Sequence, residues 1–294
     1  MSAALRCIAN PRARRRRSLE RAAAALGVDL VFTRGPDDAR GLFAQALESG
    51  GERVAVAGGD GMVMQAVDAL RGTDVALGVI PAGTGNDFAR MLAIPTDLED
   101  ALLLARDGPA RSLDLGLATL GERAPVAFAN IANVGLAAEV VQLMNRFSRH
   151  APGGLAYPLA VLGALGTHRP RSVELVLDGE RRMEVERLTN LVIANGRHFG
   201  RGLTPAPDAR PDDGLFDLLI LRDLSRARIL RAFPSLAHGP PADDPSAQTL
   251  RARAIEVRGP ADLGVEADGE SLGHLPARFE IAPQAVRVVC PSPE

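Results

Sequence analysis

"RVAVAGGDGMVMQAVDAL", residues 53–70, joins two kinds of periodicity. Its first six residues are a short apolar run of strand length, and from Met62 onward the apolar positions recur with helical spacing. Between them stand Gly58, Gly59, Asp60 and Gly61. A glycine-rich turn from strand into helix is a place where backbone N–H groups at a helix N-terminus can receive an anion, above all a phosphate. "VALGVIPAGTGNDFAR", residues 75–90, repeats the design. Gly83 and Gly85 permit unusual backbone angles, Thr84 offers a hydroxyl, and Asn86 or Asp87 can cap the next helix. Either loop alone is a weak signal, which an ordinary tight turn with a cap also explains. Two carboxylate-bearing glycine turns at one end of one sheet instead make a cleft that can hold phosphates by backbone amides and a metal by Asp60 and Asp87.

Strand and helix signals alternate around these loops, from "ALRCIAN" near the N-terminus to "LEDALLLARDG" at residues 98–108. This alternation predicts a parallel sheet covered on both faces, with ligands beyond the carboxyl ends of its strands. From about Arg111 the segments turn strand-like and are separated by Gly, Pro and Asp turns. The expected organisation is an α/β domain over residues 1–120 and a β-rich domain over 121–294, with the last residues free to return to the first. Two helical stretches interrupt the second domain, residues 136–150 with the apolar segment "GGLAYPLAVLGALG" (153–166) behind it, and residues 224–239. The apolar segment reads either as a helix packed on the domain or as an amphipathic contact with a membrane. The proline-rich interval at residues 239–246 reads as a mobile loop.

Composition excludes several classes. The chain has 294 residues, 46% of them hydrophobic, and a net charge of −2, so bulk charge gives no reason to expect nucleic acid. All 34 basic residues are arginine. Without lysine there is no GK[ST] phosphate loop, no kinase-type strand lysine and no Schiff base. The two cysteines, Cys7 and Cys290, lie in apolar strand-like runs and suit a reducing, cytoplasmic setting, with neither thiol catalytic. No stretch has the length of a membrane span or the form of a signal peptide. The five histidines lack zinc-ligand spacing and read as surface residues, and no GxSxG elbow supports a hydrolase.

"GGDG" (58–61), "PAGTGNDFAR" (81–90), "SLDLG" (112–116) and "VEADGE" (265–270), in this order, resemble the diacylglycerol kinase catalytic-domain family, specifically its stand-alone bacterial lipid kinases. "GGDG" alone is shared with NAD kinases; the proline-GTG-NDFAR string is far more specific. The resemblance implies an N-terminal nucleotide domain of the NAD kinase/diacylglycerol kinase type followed by a β-sandwich, with the active site in the cleft between them. It implies ATP and Mg2+ as cofactors and transfer of the γ-phosphoryl group to a lipid hydroxyl. By position, Gly58, Gly59, Asp60 and Gly61 would bind ATP phosphates, with Thr84, Thr33 and Asn10 near the nucleotide. Asp60, Asp87 and Asp114 would form the carboxylate network at the catalytic magnesium. Asp268 or Glu270 would be the base that takes the hydroxyl proton. The carbonyls of Arg210 and Leu215 and the carboxylate of Asp213, in "RPDDGLFDLLIL", would hold a structural metal; an Asp-Asp-Gly turn is the plain alternative. The implied partners are a lipid substrate and a peripheral membrane contact, without nucleic acid, and the sequence leaves a homodimer open.

The departures are specific. The family usually has threonine after "GGDG" and Asn-Glu shortly beyond, where this chain has Met62, Met64 and Gln65. "NPRARRRR" (10–17) lacks the family's Ser-Gly; its arginines read either as phosphate or anionic-lipid ligands or as a solvated helix face. These differences keep a second reading open, a non-catalytic lipid- or nucleotide-binding protein, with NAD kinase behind it.

Overall fold

The computed structural model describes residues 5–13, 15–35, 38–148, 155–200, 202–232 and 244–292. Histidines 150 and 238 and most of the proline-rich interval lie outside them. The chain divides into two units: Met1–Leu115 with Gly200–Gly202 and Ala282–Glu294, and Gly116–Phe199 with Leu203–Ile281.

The first unit runs β1 (Arg6–Ala9), α1 (Arg16–Ala25), β2 (Asp29–Phe32), α2 (Asp38–Glu48), β3 (Arg53–Gly58), α3 (Asp60–Leu70), β4 (Ala76–Pro81), α4 (Asp87–Met91) and α5 (Leu98–Asp107), then enters β5 (Ala110–Leu120). Its strands lie in the order β2-β1-β3-β4, all parallel, and Arg287 and Val288 add a further parallel pairing beside β4. Strands β3 and β4 are almost wholly buried, as a parallel sheet covered on both faces requires. The helices bury single stripes: Met62, Val63, Ala66, Val67 and Leu70 on α3, and Leu98, Ala101, Leu102 and Ala105 on α5. Asp97 starts α5 by accepting the Glu99 and Asp100 N–H groups. Cys7 and Cys290 are free and buried, and burial pushes the Cys7 thiol up to about 12, which keeps it inert.

The second unit continues through β6 (Val126–Phe128), β7 (Ile131–Gly135), α6 (Leu136–Phe147), α7 (Ala156–Thr167), β8 (Arg171–Leu177), β9 (Arg181–Ala194), β10 (Phe216–Arg222), α8 (Arg226–Ala232), β11 (Ala247–Ala252), β12 (Ala254–Arg258), β13 (Gly264–Ala267), β14 (Glu270–His274) and β15 (Ala277–Val289). Strand β9 is paired antiparallel along both of its halves. Its first half pairs with β8, which carries β12; its second half pairs with β7 and β10, which lead to β13, β14 and β11. The shared core centres on Phe128, stacked 5.8 Å from Phe216 and edge-on 6.4 Å from Phe279. Among the described residues no helix is long and apolar enough to cross a membrane.

Candidate active site

In the first unit the carboxyl ends of four neighbouring parallel strands collect the residues marked in the sequence. Asn10 follows β1 and donates its N–H to Ala57 O at 3.0 Å; Thr33, buried, follows β2 and donates to Ala9 O at 2.9 Å. Asn10 Oδ1 accepts the Arg12 N–H at 2.8 Å, which shapes the turn of the first loop. β3 ends at Gly58, and Asp60 and Gly61 already belong to the first turn of α3, with Gly59 as an extended N-cap.

The second glycine loop passes directly over the first. A Cβ on Gly83 would lie 2.3 Å from the Cα of Gly59, and one on Gly59 would lie 3.3 Å from the Cα of Gly83. The two turns therefore touch main chain to main chain. Asp60 fastens this contact: its Oδ2 accepts the Asn86 N–H at 2.8 Å and its Oδ1 the Phe88 N–H at 3.2 Å. The carboxylate in the first turn of α3 thus caps the N-terminus of α4. Asn86, at φ 56°, turns its own Oδ1 back onto the Gly83 N–H at 3.0 Å. A Cβ on Gly85 would lie 2.7 Å from Asp60 Oδ2 and 3.9 Å from Asp87 Oδ2, so both carboxylates face the same point of the loop. Arg90 borders them, donating to Gly85 O at 3.3 Å with Nε 4.0 Å from Asp87 Oδ1. Thr84 is exposed at the tip.

Met62 is buried beneath this loop, since a Cβ on Gly58 would lie 3.0 Å from its Cβ and Sδ. The thioether fills space under the strand end, a packing role suited to methionine. After the first loop, Arg16 at the start of α1 bonds Glu20 at 2.9 Å and lies 4.2 Å over the Phe32 ring. Asp114 is buried in β5 and accepts the Gln284 N–H at 2.8 Å, fixing a residue with φ 50°.

In the second unit the "DGE" turn connects β13 to β14. Asp268, at φ 46°, accepts the N–H groups of Ala129, Asn130 and Ile131 at 2.7, 3.1 and 3.0 Å and returns its own N–H to Ile131 O. Glu270 is exposed. Glu266, two residues before Asp268, is the acid that the sequence reading missed. It is fully buried and accepts from Asn133 Nδ2 and from Gly269 N at 2.9 Å. Asn133 in turn accepts from Asn190, which accepts the Ala137 N–H at the start of α6. The available signal was a lone acid inside an otherwise apolar strand, which is buried only when partnered. His168, expected at the surface, is also buried, because its Nδ1 lies 2.9 Å from Glu139 Oε1.

Burial pushes the Glu266 carboxyl up to about 8, the two donated hydrogen bonds pulling the other way and the Asp268 charge adding to the rise. The folded chain then binds a proton that the unfolded chain has released, so stability falls as pH rises from about 4.5 to about 8. Glu266→Gln removes this slope, at most about 1.4 kcal/mol per pH unit. It costs about 1–2 kcal/mol at pH 5, because an amide N–H then meets a donor. Melting temperatures across this range, the variant lower but flatter than wild type, check it.

At residues 210–215 Asp213 accepts its own Leu215 N–H at 3.1 Å and meets the Arg251 guanidinium, which also lies 3.3 Å from Asp217. The Asp213 carboxylate, which the resemblance assigns to a structural metal, thus also has an arginine beside it. Among the described residues no three His, Cys, Asp or Glu side chains form a metal cluster.

Residues 5–118 match the diacylglycerol kinase catalytic domain, and residues 130–290 match the YegS C-terminal NAD kinase beta sandwich-like domain. The diacylglycerol kinase of Mycobacterium tuberculosis is 37% identical over 268 residues, 90% of this chain and 86% of its own. The chain belongs to the diacylglycerol kinase family. A probable YegS-like lipid kinase of Chromohalobacter salexigens is 32% identical, covering 89% of this chain and 83% of its own. The fold of the kinase matches a putative diacylglycerol kinase from Bacillus anthracis with a TM-score of 0.77 at 23% identity, over 98% of this chain and 97% of that one. An NAD kinase from Archaeoglobus fulgidus in complex with ATP shares it at a TM-score of 0.53 and 15% identity, over 97% and 92%. The α/β and β-sandwich classes expected from the sequence are therefore the observed ones.

Proposed function

We propose that the kinase transfers the γ-phosphoryl group of ATP to a hydroxyl of diacylglycerol or a related lipid. The observation that carries this reading is the contact of the Gly58–Gly61 and Gly83–Asp87 turns, with Asp60 and Asp87 facing Gly85 between two helix N-termini. Main-chain N–H groups of these turns would hold the phosphates, which lets a chain without lysine bind a nucleotide.

The two carboxylates fit magnesium, a hard cation that takes one or two carboxylates and completes its shell with water and phosphate oxygens. Bound there, it would neutralise charge on the transferring group. Asp60 has a second duty, because its two bonds to Asn86 and Phe88 keep the loops in register before any nucleotide arrives. Asn10, Thr33 and Thr84, at the same strand ends, would border the nucleotide. Asp114 would support the site through the backbone it fixes at Gln284. The turn Asp268–Gly269–Glu270 would supply the base, and comparing the turnover of Asp268→Asn with that of Glu270→Gln assigns it.

The test is transfer of labelled γ-phosphate from ATP to vesicle-borne diacylglycerol, sphingoid bases and polyprenyl alcohols, with and without magnesium. Magnesium-dependent label in one lipid class is the expected result and names the acceptor. ATP binding without transfer to any lipid would favour the non-catalytic binding reading that Met62, Met64 and Gln65 raised.

A further inference from the structure

The hydrogen bonds that reach Glu266 form a ladder with one direction. Ala137 N–H, in the first turn of α6, donates to Asn190 Oδ1 at 3.0 Å, Asn190 Nδ2 donates to Asn133 Oδ1 at 2.9 Å, and Asn133 Nδ2 donates to Glu266 Oε1. From the other side Gly269 N–H donates to Glu266 Oε2 at 2.9 Å. Both ends of the ladder are main-chain N–H groups, which can only donate. Each asparagine between them uses its oxygen on one side and its nitrogen on the other, so it passes a donor on and cannot reverse the direction. The member where the two directions meet must accept at both of its terminal atoms, which an ionised carboxylate does and an amide does not.

Glu266, Asn133 and Asn190 are all buried. Replacing a buried charged group by a packed apolar one is often neutral or stabilising, so stability alone does not account for a carboxylate here. What Glu266 holds is one end of a turn. Ala267 pairs with Glu270 across a two-residue hairpin turn whose residues, Asp268 and Gly269, both have positive φ, 46° and 84°. Asp268 ties its own end to the N–H groups of Ala129, Asn130 and Ile131, and Glu266 ties the Gly269 end.

We infer that Glu266 is a positioning residue for phosphoryl transfer: it fixes the Asp268–Gly269–Glu270 turn, and with it the base, from a ladder anchored on the first turn of α6. The inference rests on the assignment of the base to this turn. Bonds in such a chain polarise one another, so the charge on Glu266 is felt as far as Ala137.

The first arm of the test is steady-state transfer from magnesium-ATP to vesicle-borne diacylglycerol by wild type and Glu266→Gln. At pH 6 both proteins hold a neutral group with a single free acceptor atom, and kcat should agree within about twofold. At pH 9 the wild-type carboxyl, pushed up to about 8 by burial, is ionised, and Glu266→Gln should be about tenfold or more lower in kcat with KM for ATP unchanged. The charge of Asp268, which also acts on Glu266, is present in both proteins. Stability moves the opposite way: wild type loses stability toward pH 8 and the variant does not, so the stability gap narrows where the kcat gap opens. A purely structural role would make the two gaps move together.

The second arm needs no substrate. The NMR amide signals of Gly269 and Ala137 should both shift as wild type is taken from pH 6 to pH 9 and stay in place in Glu266→Gln. Asn133→Ala should silence the Ala137 response and keep that of Gly269. A Gly269 signal indifferent to pH in wild type, or a kcat ratio equal at the two pH values, would overturn the proposal. If wild type transfers nothing to diacylglycerol, it is the acceptor assignment that fails, and the amide signals then decide whether Glu266 holds the turn.

Discussion

Asp60→Asn should reduce phosphoryl transfer by about 10³-fold or more while leaving a folded protein. Two losses combine in this one change. The carboxylate is one of the two that would meet the magnesium–nucleotide complex, and an amide carries no charge to offer it. The same side chain accepts from both Asn86 N and Phe88 N. Asparagine keeps one acceptor and turns an N–H toward the other donor, which costs about 1–2 kcal/mol of stability and loosens the start of α4. Turnover measured beside a thermal melt and ATP titration separates these effects. Activity within tenfold of wild type would place the chemistry elsewhere.

Asp268→Ala should destabilise the second unit by about 3–5 kcal/mol. Three N–H groups, on Ala129, Asn130 and Ile131, lose their acceptor together. The site is part-buried, so water recovers some of that loss, and the effect falls below the sum of three buried orphans. Asp268→Asn retains one acceptor and should recover about half. Glu270→Gln, on the exposed side of the same turn, should stay within about 0.5 kcal/mol. Denaturant unfolding of the three variants checks the ranking; an Asp268→Ala protein as stable as wild type would remove the turn-fixing role.

The α/β half was legible because each element carries its own signal. Strands β3 and β4 are unbroken apolar runs, α3 shows its stripe, and glycines mark the turns between them. The sandwich was legible as strand-rich texture, without two of its strands. β11, "AQTLRA", and β14, "ESLGH", bury almost none of their residues fully and carry no apolar alternation, so only pairing with β10 and β13 makes them strands. The motifs named the residues of the glycine loops, but their contacts join positions far apart in sequence. Asp60 acts 26 residues away on Asn86, and Asp268 acts 139 residues away on Ala129. Glu266 escaped notice because the acids beside it matched a motif, although it is the one with the most unusual surroundings.

The main-chain contact between Gly59 and Gly83 also restricts how such a site can change. A side chain at Gly83 collides with the backbone of Gly59, one at Gly59 presses on the Cα of Gly83, and one at Gly85 meets the Asp60 carboxylate, so these three positions cannot drift independently. Anyone rebuilding the phosphate grip of this protein would have to transplant both loops together, with the aspartate that ties them, as one inheritable part.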